Sequence, residues 1–141
     1  MNRLLSVAID LAQFAHHGQV DKAGQPYILH VQAVADGVDT DKLKTIAYLH
    51  DVREDTPFGM EDLTELGFPC EIVQSVRILT RAKGTPYMEY IQAVKQDDNA
   101  RQVKVSDLKH NMDLSRIPEP TEADYKRVEK YRKALDYLIT D

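Results

Sequence analysis

The sequence predicts an all-α fold, a compact helical bundle formed by one domain over residues 1–141. Three observations carry that expectation. Apolar residues recur at helical spacing in nearly every segment, and no stretch shows the period-two alternation of a half-buried strand. The connections between the periodic segments are short, as a single bundle requires.

Leu4, Ala8, Leu11 and Ala15 define the inner stripe of a first helix that Gly18 stops. Two Gly and a Pro make 18–26 a loop, and a short helix is expected over Tyr27–Val38. Asp41 opens a third helix, with Leu43, Ile46, Ala47 and Leu49 inside, that runs on through His50-Asp51-Val52-Arg53-Glu54-Asp55. Pro57 pushes Thr56 away from helical geometry and ends it. A brief helix over Glu61–Leu66 is closed by Gly67, and Cys70–Thr80 carries Ile72, Val76 and Leu79 on one face. After the basic loop Arg81–Pro86, helices are expected over Tyr87–Lys95, Asn99–Leu114 and Glu122–Ile139. The last has a capping-box start at Thr121 and Asp124 and a stripe of Val128, Tyr131, Leu135 and Leu138.

At 43% hydrophobic the chain can build a real core, and its net charge of -5 argues against bulk nucleic-acid binding. An anionic small molecule remains compatible, because a bound cation with a few local Lys or Arg reverses the sign of one cleft. Cys70 is the sole cysteine, which excludes an intramolecular disulfide and suits a reducing compartment. Met1–Gln13 lacks the apolar run and cleavage site of a signal peptide, and no stretch is long enough to span a membrane. A soluble, cytoplasmic protein without membrane partners is expected.

The acidic segment at 50–55 is physically unusual. On one helix, Asp51 stands three residues from Glu54 and four from Asp55, so three carboxylates share a face. Each like-charge pair costs a few tenths of a kcal/mol, and anions near a helix C-terminus oppose the macrodipole. A divalent cation would relieve the crowding; an exposed helix end neutralised by Arg53 explains the segment equally well. His30 sits among Ile28, Leu29, Val31 and Val34, where a hydrogen-bonded core histidine is the commoner reading. Asp107 lies between Val103, Val105, Leu108 and Met112, where a buried carboxylate needs a partner such as Lys104 or Arg101. Taken together, two imidazoles and two carboxylates from three helices suit a borderline transition metal with open coordination positions.

Four ordered stretches then make the sequence similar to the HD superfamily, and within it to the hydrolase domain of Rel/Spo-type alarmone enzymes. His17-Gly18-Gln19-Val20-Asp21-Lys22-Ala23-Gly24-Gln25-Pro26-Tyr27-Ile28-Leu29-His30 resembles H-x-G-Q-x-R-K-x-G-x-P-Y-x-x-H. His50-Asp51-Val52-Arg53-Glu54-Asp55-Thr56 fits H-D-x-x-E-D-T. Val103-Lys104-Val105-Ser106-Asp107 with Asn111 is like V-K-L-A-D-x-x-x-N, and Arg127-Val128-Glu129-Lys130-Tyr131 is like R-V-x-x-Y. The likeness runs from about Ala8 to Leu138.

The resemblance implies an HD-type bundle with a metal site between helices, holding one divalent ion, Mn2+, on His30, His50, Asp51 and Asp107. It implies that Glu54 and Asp55 position and deprotonate the attacking water, and that Lys22, Asn111 and Tyr131 touch the nucleotide. The implied reaction removes the 3′-pyrophosphate of guanosine tetra- and pentaphosphate. Charge on the leaving group calls for cations, for which Lys22, Arg81, Lys83 and Lys104 are candidates, while Arg53 suits a clamp on the carboxylates. The long family members also carry a synthetase domain, for which 141 residues leave no room. Hydrolysis of another nucleotide, or non-catalytic sensing of a nucleotide or metal, are the alternatives. Two positions depart from the pattern: Asp21 and Asp113 stand where the family commonly has Arg. A carboxylate in place of a guanidinium predicts weaker selectivity for the tetraphosphate.

Overall fold

The computed structural model describes residues 2–52 and 59–140. Among them are eight α-helices: α1 (Arg3–Ala15), α2 (Tyr27–Asp36), α3 (Asp41–Leu49), α4 (Met60–Glu65), α5 (Cys70–Leu79), α6 (Tyr87–Lys95), α7 (Asp98–Asn111) and α8 (Glu122–Ile139). A 3-10 turn, Leu114–Arg116, lies between the last two. Strand pairing among the described residues is limited to one isolated bridge, Val20 with Pro26.

Local chemistry accounts for most helix starts. The Asn2, Thr40 and Asp97 side chains accept the Leu5, Leu43 and Ala100 N–H groups at 2.8, 3.1 and 2.8 Å. Pro26, Pro69 and Pro86 immediately precede α2, α5 and α6, where a fixed φ suits the chain entering a helix. The Thr121–Asp124 capping box is present: the Thr121 N–H reaches Asp124 Oδ2 at 2.8 Å, and the Asp124 N–H reaches Thr121 Oγ1 at 3.3 Å.

Helices α3 and α7 form the centre. α3 packs on α1, α2, α5 and α7, and α7 also touches α2, α5, α6 and α8. Ile46, Leu49, Val31, Val34, Val103 and Leu108 are fully buried where α2, α3 and α7 meet. Burying such a side chain stabilises by about 1.5–3 kcal/mol, so this junction is among the firmest parts of the fold. Polar ties fix its geometry. The Lys44 ammonium donates to the Ala35 and Val38 carbonyls, both at 2.9 Å, joining α3 to the end of α2. Ser106 Oγ donates to the Val34 carbonyl at 2.8 Å and joins α7 to α2.

Most boundaries agree with the sequence expectation to within two residues, and two helix ends differ by more. α3 ends at Leu49, with His50 as its cap and Asp51 in a turn, and residues 53–55 of the expected continuation lie outside the described residues. His50 Nδ1 donates to the Ala47 carbonyl at 2.5 Å, the acceptor a continuing helix would offer to the Asp51 amide. α7 ends at Asn111 rather than Leu114, because Asp113 Oδ1 accepts the Ser115 N–H at 2.9 Å and starts the 3-10 turn.

Candidate metal centre and substrate cavity

The buried junction of α2, α3 and α7 carries polar side chains that an apolar core would not tolerate alone. His30 comes from α2, His50 from the end of α3 and Asp107 from α7, and all three are buried. One ligand atom from each lies within 4.8 Å of the other two. His30 Nε2 is 2.9 Å from Asp107 Oδ1, and His50 Nε2 is 3.7 Å from the same oxygen. Asp51 stands beside this triad rather than within it, with Oδ2 3.1 Å from His50 Nε2 and accepting the Tyr27 hydroxyl at 2.5 Å.

The donor set fits a cation. His50 Nδ1–H is committed to the Ala47 carbonyl, which leaves Nε2 as a buried atom without a hydrogen bond of good geometry. His30 has the complementary arrangement: Nδ1 lies 2.7 Å from His110 Nδ1 while Nε2 faces Asp107. Metal-ligating histidines typically anchor the second ring nitrogen in this way.

Electrostatics agree. Burial opposes charge on His50, but Asp51 and Asp107 outweigh it and hold the imidazole well above its ordinary pKa. Burial also opposes charge on Asp51, yet His50 carries its pKa down to about 2. Asp107 is kept well below the carboxylate range by Lys104, His30 and His50 despite complete burial. The two carboxylates therefore favour positive charge beside them, which Lys104 and a proton on His50 supply and which a divalent ion could supply in place of that proton.

Two cavities open on this cluster and share Tyr27, Asn111 and Tyr131. The first, about 370 Å³, is lined by His30, Lys22, Asn111, Tyr131, Arg116 and Arg127, among others. The second, about 280 Å³, is lined by His50, Asp51 and Asp107 together with Arg81, Lys104 and Lys130. Lys22, Asn111 and Tyr131 thus come together around the first cavity, and Asn111 also donates to Asp107 Oδ1 at 3.1 Å. Of the candidate cations, Arg81 and Lys104 line the second cavity, whereas Lys83 is exposed and lines neither. Arg53, Glu54 and Asp55 lie outside the described residues.

Sequence reasoning missed several participants. His110 lies one helical turn after Asp107, a spacing that could have flagged it. Tyr27 precedes His30 by three residues and was legible only as part of the motif. Lys130 and the buried Tyr87 hydroxyl, which lacks a hydrogen-bond partner, gave no signal in sequence. The expectation at Asp21 also changes. Its carboxylate accepts the Ala23 and Gln25 N–H groups and is ion-paired with Arg116 at 2.8 Å, so its charge is met within the protein.

No family model matches the chain. It is 35% identical over 116 residues to the bifunctional (p)ppGpp synthase/hydrolase SpoT of Escherichia coli (strain K12), covering 72% of this chain and 16% of that protein. It is 33% identical over 145 residues to a probable GTP pyrophosphokinase of Mycobacterium leprae (strain TN), covering 93% of this chain and 18% of that one. The chain is a relative of the Rel/Spo-type proteins. It spans less than a fifth of the length of either of these two relatives. Its fold matches a solved structure of a metazoan ortholog of SpoT, described as hydrolysing ppGpp, with a TM-score of 0.81. That match covers 99% of this chain and 87% of the other at 24% identity. The all-α HD-type architecture of this Rel/Spo relative is therefore established. No described helix is long and apolar enough to cross a membrane.

Proposed function

We propose that this Rel/Spo relative is a metal-dependent phosphohydrolase, one HD-type domain over residues 1–141. It removes the 3′-pyrophosphate of guanosine tetra- and pentaphosphate in the cytoplasm. The observation that carries the reading is the buried convergence of His30, His50 and Asp107 between two cavities. Ligand atoms about 2.1 Å from one ion lie no more than about 4.2 Å apart, so the observed spacing needs only small side-chain shifts. Asp51 completes the set by turning Oδ2 from the Tyr27 hydroxyl. The hydrolase named in the Escherichia coli relative supports the substrate class.

When bound, a divalent ion, Mn2+ in this reading, supplies a water of lowered pKa and polarises a phosphoryl oxygen. The protein's own residues do the rest. Glu54 and Asp55 orient the attacking water and take its proton. Attack at the 3′-phosphorus breaks the P–O3′ bond, so the ribose 3′-oxygen departs and takes up a proton to give GDP. Lys104, Arg81 and Lys130 stabilise the charge on the pyrophosphoryl oxygens as they are displaced. Lys22, Asn111 and Tyr131 hold the nucleotide across the first cavity, so that the scissile phosphate faces the triad.

A manganese-supplemented screen against guanosine tetraphosphate, nucleoside mono- and triphosphates and cyclic dinucleotides tests this. The expected outcome is Mn2+-dependent release of pyrophosphate and GDP from the tetraphosphate. Turnover confined to another class would replace the substrate, and metal binding without any turnover would make the protein a sensor.

A further inference from the structure

Arg116 ends the 3-10 turn and reaches back across the first cavity to the 18–26 loop. Its Nη1 donates to Asp21 Oδ2 at 2.8 Å. The other oxygen of Asp21 is fully used within the loop, accepting the Ala23 N–H at 2.9 Å and the Gln25 N–H at 3.0 Å. Gly24, at φ +80°, makes that tight turn possible. Asp21 therefore works as a fixed bracket that orients the guanidinium, and its pKa is lowered by the backbone N–H groups of Gln25 and Ala23 and by Arg116, against its burial.

What the bracket leaves over is informative. Arg116 Nε is buried and has no hydrogen-bond partner, although the side chain lines a cavity of about 370 Å³. In a guanidinium the Nε–H and one Nη2–H run parallel and form a two-donor fork suited to a pair of adjacent acceptors. Because Asp21 already meets the charge, a neutral acceptor pair suits this fork better than a second full anion. Arg81, Lys104 and Lys130 line the other cavity, while of the first cavity's remaining cations Arg127 is paired with Asp124 and Lys22 stands on the 18–26 loop. The walls around Arg116 include Val20, Ala23, Tyr27, Ile117 and Tyr131, apolar and aromatic surfaces that accept a flat ring. Guanine presents O6 and N7 as adjacent acceptors, whereas adenine presents a donor at the first of those positions.

We infer that Arg116, oriented by Asp21, reads the O6/N7 edge of a guanine base and is a specificity-determining residue of this protein. The inference rests on the nucleotide-hydrolase reading for the orientation of the substrate, but it is tested by binding alone. Calorimetry of the Mn2+-loaded protein with GDP, ADP and inorganic pyrophosphate is the experiment. Wild type is expected to bind GDP about 10-fold more tightly than ADP. Arg116→Met should erase that preference and leave ADP and pyrophosphate unchanged, Arg116→Lys should be intermediate, and Asp21→Asn should lower it several-fold. The ADP and pyrophosphate arms, with thermal melts, detect a variant that is merely misfolded. Equal weakening of all three ligands by Arg116→Met assigns the residue to phosphate binding or structure and overturns the inference. So does a wild type without guanine preference, or a preference that Arg116→Met preserves. If guanine preference is present and Arg116-dependent but the tetraphosphate is not hydrolysed, the proposed reaction fails and the base reading stands.

Discussion

Asp107 accepts from Lys104 at 2.9 Å and Asn111 at 3.1 Å on its own helix and faces His30 and His50 from two others. Asp107→Asn keeps the shape but removes the buried charge with which the partly buried Lys104 ammonium is paired. Breaking a buried pair in this way costs about 3–5 kcal/mol. The variant is expected to lose that much in denaturant unfolding and to retain no metal by elemental analysis; full metal occupancy would remove Asp107 from the ligand set. His110 tests a different point, because it touches His30 rather than the ion. His110→Ala should weaken Mn2+ binding by about 10- to 100-fold in calorimetry, through loss of the anchored ring orientation. Glu54→Gln should abolish turnover while leaving metal content unchanged, and metal loss instead would make Glu54 a ligand. At this scale the sequence was legible where a motif fixes residue type and spacing, as at His30, His50 and Asp107. It was silent on Arg116, whose role follows from a partner 95 positions away.

Helix placement explains how those side chains meet. Gly37 caps α2 with φ −83°, an ordinary value, so close approach rather than backbone freedom is what makes glycine matter there. A Cβ at Gly37 would stand 2.2 Å from Ser106 Oγ and 3.1 Å from Ser106 Cβ. Gly37→Ala must therefore turn the Ser106 hydroxyl off the Val34 carbonyl, and the Cβ contact then shifts α2 against α7 by a few tenths of an ångström, moving His30 relative to Asp107. Overpacking of this kind typically costs about 1–3 kcal/mol. The variant is expected to be destabilised by that amount and to bind Mn2+ more weakly, and adding Ser106→Ala should recover part of both losses. Unchanged metal affinity in Gly37→Ala would show that the α2–α7 contact does not set the site. Helix existence was readable throughout because apolar periodicity and polar caps act locally, as at Thr121 with Asp124. The misplaced ends of α3 and α7 arose where a side chain, His50 or Asp113, competes with the backbone for hydrogen bonds.

Over the whole molecule, the proposed metal and the His50 proton would compete for one buried charge, which would tie stability to pH with a definite sign. In the metal-free protein the His50 pKa is raised by Asp51 and Asp107 against the effect of burial. Its contribution to stability is complete below the ordinary imidazole value of 6.5 and is lost as pH rises through the raised value. The Asp51 pKa falls to about 2 through His50, so its contribution is present above the ordinary 3.8 and is lost as pH falls toward 2. These two groups therefore favour the metal-free fold most between those ordinary values and progressively less in alkali. Mn2+ bound as proposed would act in the opposite direction, because its binding would displace the proton from His50, so affinity should rise with pH until the raised pKa is passed. A hundred-fold excess of free ion over Kd stabilises by about 2.7 kcal/mol. Thermal melts with Mn2+ or with chelator at acidic, neutral and alkaline pH should then diverge. The rise in Tm on adding Mn2+ is expected to be small in acid and to grow steadily with pH, with protons released on binding in calorimetry. In His50→Ala the Mn2+-dependent rise should disappear at every pH. An equal rise across the range in wild type, without proton release, would mean that the ion and the His50 proton do not share a site, and the metal centre would have to lie elsewhere.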